Sequence, residues 1–136
     1  MKRISSVLCA LGASCVLGQG AQAQTVVVVN PKSSLTTITS EQVAQVYLGT
    51  SNEFRPLDLG EGTPIRTDFY KKVAEKDSAQ VKAIWSRLAF TGKGKPPKEY
   101  SSSADVKKAV AEDVRAMGYV EKSAVDASVK VLLTVP

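Results

Sequence analysis

Four consecutive valines, Val26–Val29, constrain the fold of this chain more than any other feature. β-Branched side chains are stiff at χ1 and suit a pleated surface better than a helix. A continuous apolar run has no polar face to offer water. The segment therefore reads as a strand buried on both faces, the mark of a parallel sheet covered by helices, and Asn30-Pro31 closes it. The spacing of Val43, Val46 and Tyr47 predicts a helix capped by Ser40 and ending at Leu48-Gly49. Arg55–Leu59 alternates and reads as an edge strand, where Pro56 is tolerated. Thr63 and Pro64 suit the cap and first turn of a second helix, with Ile65, Phe69, Val73 and Tyr70 inward. Ser78 opens a third, with Val81, Ile84, Trp85 and Leu88 on its apolar face. Thr91–Lys98 reads as a loop. Ser103 caps a fourth helix, with Val106, Ala109, Val110 and Val114 inward, and Gly118–Val120 and Val129–Val135 are strands. Strands alternating with helices predict the α/β class: a small, mostly parallel sheet of about four strands flanked by helices.

The N-terminus carries an export pattern. Lys2 and Arg3 precede an apolar stretch from Ile4 to Leu17, and Ala21-Gln22-Ala23 is the small-x-small sequence that signal peptidase reads. Residues 1–23 are thus predicted to be a cleavable signal peptide, with the cut before Gln24. The stretch is shorter than the ~20 apolar residues of a spanning helix. Lipid attachment at Cys9 or Cys15 is the less favoured alternative, because neither cysteine sits in a suitable context.

Cleavage would remove both cysteines, and the sequence has no histidine. Residues 24–136 therefore offer no disulfide, thiol nucleophile, His-based acid/base pair or zinc site. Without Lys2 and Arg3, 16 basic residues face 13 acidic ones, a net charge of +3. This mild excess favours anions but lacks the dense patch of a nucleic-acid binder. Residues 24–136 are read as one domain, large enough to bury a core without cross-links.

The candidate ligand site is Gly62-Thr63-Pro64-Ile65-Arg66. A helix start presents unpaired N–H groups and about half a positive charge. A cation in its first turn, here Arg66, is disfavoured by about 0.3–1 kcal/mol unless compensated. A phosphate or similar oxyanion would compensate, held at Gly62, by the Thr63 hydroxyl and by two prongs of Arg66. Alternatively, Thr63 merely caps the helix and Asp58, Glu61 or Asp68 pairs with Arg66. Other motifs read as structural. Gly92-Lys93-Gly94-Lys95 follows a helix and runs into two prolines, unlike a phosphate loop, and reads as a solvated basic loop. Phe69, Trp85 and Phe90 read as core by their helical spacing. Ser101–Ser103 beside Lys98 reads as loop and cap rather than a serine–lysine dyad. Glu112-Asp113 is the sole adjacent acidic pair, and neighbours on a helix diverge. No catalytic residue, metal ligand or cofactor is expected.

Several segments in order resemble a known family. They are Val-Asn-Pro at 29–31, Leu-Thr-Thr-Ile-Thr-Ser-Glu-Gln-Val at 35–43, Val-Tyr-Leu-Gly at 46–49 and Arg-Thr-Asp-Phe-Tyr at 66–70. Trp85–Gly92 and Met117-Gly118-Tyr119-Val120 follow. The order is similar to the phosphate-type substrate-binding proteins of ABC transporters, in the type II periplasmic-binding-protein superfamily, over Thr25 to about Leu133. The resemblance implies a single lobe of a fold whose full members hold an oxyanion between two lobes. It also implies a periplasmic location, no enzymatic activity, and inorganic phosphate and a transporter permease as partners. Full members carry Arg-x-x-x-Ser-Gly-Thr at the anion-binding helix start, followed by a Phe. Aligned on Phe69, Leu59 falls at the arginine, Thr63 at the serine, Pro64 at the glycine and Ile65 at the threonine, so only the hydroxyl is kept. Arg66 would replace the lost arginine from another position. A homodimer would supply the missing wall. The rival expectation is an accessory module of an envelope complex that keeps the fold without the ligand.

Overall fold

The computed structural model describes residues 24–135; the expected signal peptide lies outside the described residues. In chain order the elements are β1 (Thr25–Val29), α1 (Ser40–Tyr47), β2 (Arg55–Leu59), α2 (Pro64–Ala74), α3 (Ser78–Phe90), β3 (Lys98–Tyr100), α4 (Ser103–Glu112), β4 (Ala116–Glu121) and β5 (Lys130–Val135). One sheet takes the order β3-β2-β4-β1-β5. β2 pairs in parallel with β3 and β4, whereas β1 runs antiparallel to both β4 and β5. Four strands thus share one direction and β1 opposes them.

Every residue of β1 is buried, as the valine run requires. Burial on both faces does not dictate strand direction; it requires only that both faces be covered. α4 covers one face, with Val106 and Val110 against Gly118 of β4. α1 and α2 cover the other, where Tyr47 and Phe69 meet Tyr119. Asn30 at the end of β1 donates from Nδ2 to the carbonyls of Val110 and Ala111, both at 3.0 Å. These bonds reach carbonyls in the last turn of α4, that of Val110 shared with the Asp113 N–H, and fix that helix to β1.

Some sequence expectations shift for local reasons. β2 is interior, not an edge strand. Pro56 is tolerated because it lies opposite Met117 of β4 only, and pairing with β3 begins at Leu57. The fifth strand, β3, falls where a loop gave way to a helix cap, and its short, largely exposed Lys-Glu-Tyr has no apolar alternation. α3 opens at Ser78 as expected, capped by Asp77, whereas the caps of α1 and α4 sit one residue earlier than expected: Thr39, Asp77 and Ser102 accept the backbone N–H groups of Gln42, Gln80 and Asp105. Phe90 is 93% exposed at the end of α3, and Val114, beyond the end of α4, is 51% exposed. Helical periodicity had placed both inside, but one closes its helix and the other lies past the last turn.

A Cβ on Gly118 would sit 2.5 Å from Val106 Cγ1 and 3.2 Å from Val110 Cγ2. Gly118→Ala is expected to destabilise the domain by about 1–3 kcal/mol through overpacking. Adding Val106→Ala should recover part of that loss in urea unfolding; strictly additive effects would show that the contact does not set the α4–sheet distance.

Candidate functional site

The chain leaves β2 through Leu57-Asp58-Leu59, turns at Gly60–Gly62 and enters α2. Asp58 is 2% exposed although it is an acid on a strand between two leucines. Three donors meet its carboxylate. Tyr70 Oη of α2 donates to Oδ2 at 2.6 Å, while Tyr119 Oη of β4 and the Leu59 N–H, the latter at 2.9 Å, donate to Oδ1. Arg66 Nε lies 3.8 Å from Oδ1. A buried carboxylate persists only when its oxygens are bonded and its charge is paired, and both conditions hold.

Arg66 is itself tightly engaged. Its Nη1 donates to the Leu59 carbonyl at 2.9 Å and to Glu99 Oε1 at 2.6 Å, and its guanidinium lies 5.6 Å from the Tyr70 ring centroid. Burial pulls the Arg66 pKa down, but the charge of Asp58 and the hydrogen bond to Glu99 push it up, and the net shift is upward. Of the three carboxylates expected to compete for Arg66, Asp58 does pair with it, whereas Asp68 turns to Lys72 at 3.1 Å and Glu61 accepts from Ser78. Glu99, on the short strand absent from the sequence reading, is the second partner.

Thr63 occupies the N-cap position of α2, but its side chain makes no capping bond; its hydroxyl donates to the Gly60 carbonyl at 2.8 Å. Pro64 has no N–H, and that of Thr67 goes to the Thr63 carbonyl. The N–H groups of Ile65 and Arg66 have no protein acceptor among the described residues. The first turn of α2 has no acidic residue. Gly62 has a φ of 90° and is exposed, so its role in the turn is conformational. Thr63, Gly62 and Arg66 therefore do gather at one helix start. A recess of about 300 Å³ opens beside Arg66, with Asp58, Glu61 and Glu99 on its polar side and Val81 and Trp85 on its apolar side. Lys82 also borders it. Among the described residues no group of three or more acids is placed to hold a metal ion.

No protein-family model and no curated protein matches the chain. Solved structures do. An ABC-type phosphate transport receptor from Vibrio cholerae superposes with a TM-score of 0.63 at 18% identity, covering 80% of this chain and 45% of that one. The fold is that of a phosphate-transport receptor over about half its length. A protein from Clostridium perfringens, described as a phosphate ABC transporter substrate-binding protein and solved with bound phosphate, gives 0.62 at 17% identity, with coverages of 80% and 44%. PstS from Borrelia burgdorferi gives 0.61 at 11% identity, covering 80% and 46%. At these identities the likeness is one of fold.

Two consequences concern Asp58. Tyr119→Phe or Tyr70→Phe removes a donor from a buried carboxylate and should each cost about 1–3 kcal/mol in urea unfolding; a change within error would show that the hydroxyls are not needed there. Burial pushes the Asp58 carboxyl above its ordinary 3.8, against the opposing pull of Tyr119, Tyr70 and Arg66. The folded state therefore holds this proton more tightly than the unfolded one. Its contribution to stability is full below 3.8 and is lost as pH rises through the folded value. The stability advantage of wild type over Asp58→Asn should shrink from acid to neutral pH; an advantage that grows would reverse the assigned direction.

Proposed function

We propose that residues 24–136 form one exported binding domain that takes an oxyanion of the phosphate class at the start of α2, in the service of an ABC transport system. The observation that carries this reading is the uncapped first turn of α2. Two backbone N–H groups lack protein acceptors, and the Arg66 guanidinium stands in the same turn, inside a fold shared with phosphate-transport receptors. A helix start of this kind is a ready anion site, and the Thr63 hydroxyl and the turn at Gly62 border it. No cofactor enters this role, and it is one of binding rather than catalysis. The Lys2–Ala23 export pattern supports delivery to the periplasm. Because the chain spans about 45% of the receptors it resembles, a second wall for the site would come from a homodimer or another chain, and affinity in an open site is weakened by solvent screening.

One observation favours the rival reading, an envelope interaction module that retains the fold without the ligand. Arg66 already has two carboxylate partners, and Glu99 occupies the face an anion would approach. The same contact separates the two readings. The Glu99 side chain is 54% exposed, so Glu99→Gln should fold normally. By releasing one prong of Arg66 it should tighten phosphate binding about two- to fivefold in calorimetry. No heat with phosphate or sulfate at millimolar concentration for either protein, with an unchanged melting temperature, would exclude the oxyanion role.

A further inference from the structure

At the opposite end of β2 from the start of α2 lies a second, larger groove of about 680 Å³. Arg55, Lys93, Lys95, Lys98 and Arg115 line it, against only Glu112 and Asp113. That surplus of three positive charges equals the whole excess of residues 24–136. The rest of residues 24–136 is balanced in charge. Arg55 is paired with Asp113 at 3.0 Å, and Arg115 donates to the Asn52 carbonyl. Lys93 and Lys95 make no ion pair among the described residues, and Lys98 lies over the Tyr100 ring at 5.3 Å. Phe54, Trp85 and Pro97 contribute apolar wall.

We propose that this groove binds an extended acidic segment of a partner protein. Its carboxylates would meet Lys93, Lys95 and Lys98, and its apolar side chains would lie against Phe54, Trp85 and Pro97. Charge complementarity selects an acidic occupant and supplies steering. The apolar wall gives side chains a surface that a small inorganic anion would leave unused. Glu112 can accept N–H groups from a peptide backbone, donors that a phosphodiester backbone lacks. β3 adds a structural reason for an extended partner. It pairs with β2 on one side only, and its outer edge offers unpaired backbone groups for strand addition. Gly92 and Gly94 alternate with the two lysines, and Gly92 has a φ of 71°, so the loop that presents the ammonium groups depends on glycine backbone there.

This inference does not rest on the oxyanion reading, although the two cavities share Trp85 and Pro97, and its test uses a different probe. A fluorescent, glutamate-rich peptide with interspersed leucines should bind residues 24–136 with an anisotropy change that weakens as salt is raised. Lys93→Glu with Lys95→Glu should weaken it roughly tenfold. Both lysines are exposed loop residues, so the melting temperature should hold; Lys93→Gln with Lys95→Gln is the milder check if it does not. Amide shifts should map to Lys93–Tyr100 and the Arg55 end of β2. The proposal is overturned if charge reversal leaves affinity unchanged, if the peptide with glutamine in place of glutamate binds equally well, or if an oligothymidylate binds as tightly.

Discussion

A single buried carboxylate ties the two halves of the chain together. Asp58 lies one residue before the end of β2, Tyr70 stands on α2 and Tyr119 on β4, and both hydroxyls donate to the Asp58 oxygens. Burying a charge is unfavourable unless donors and a counter-charge replace its water. Here two hydroxyls, a backbone N–H and a guanidinium do so. Around this polar centre Phe69 stacks on Tyr119 at 3.9 Å, and Tyr47 meets Phe69 edge-on while its hydroxyl donates to the Leu57 carbonyl at 2.8 Å. The aromatic layer supplies area, and the carboxylate gives α2 a directional contact with the sheet.

That docking sets up the chemistry at the start of α2. The helix that buries Tyr70 also holds Arg66 beside Asp58, with backbone N–H groups pointing outward from the same turn. Arg66 thus serves two charges at once, one structural and one on the rim. With Asp58 and Glu99 both in place, the one guanidinium faces two carboxylates, and an incoming anion has to displace the exposed one. On the proposed oxyanion reading, affinity would be modest and set by that competition. The lysine groove lies at the other end of β2, and Trp85, Pro96 and Pro97 form a wall common to both cavities.

Much of the scaffold was legible in the residues, and the reasons differ by element. The valine run announced a doubly covered strand because nothing else accommodates four β-branched apolar residues in sequence. It did not announce direction, which depends on β4 and β5 nearly a hundred residues away. The helix starts were legible to within one residue. Thr39-Ser40, Asp77-Ser78 and Ser102-Ser103 each offer two suitable caps side by side. Gln42 and Gln80, three residues after the first of each pair, carried the signal that resolves two of them, since each completes a reciprocal capping box. Thr63 and Arg66 were legible as a pair at a helix start. The burial of Asp58 was not, because its donors lie 12 and 61 residues along the chain. Glu99 was hidden for a similar reason: only strand pairing brings Asp58 opposite it. An acid between two leucines in a strand was the local hint.

The oxyanion reading rests on Arg66 and the free N–H groups of α2 acting together. The most direct measurement follows the Arg66 Nε–H and the backbone amides of Ile65 and Arg66 by nuclear magnetic resonance while inorganic phosphate is added. These signals should shift together and saturate, while the Tyr70 and Tyr119 environments stay fixed. Signals that do not move at millimolar phosphate, or shifts confined to the lysine groove, would contradict an oxyanion site at the start of α2.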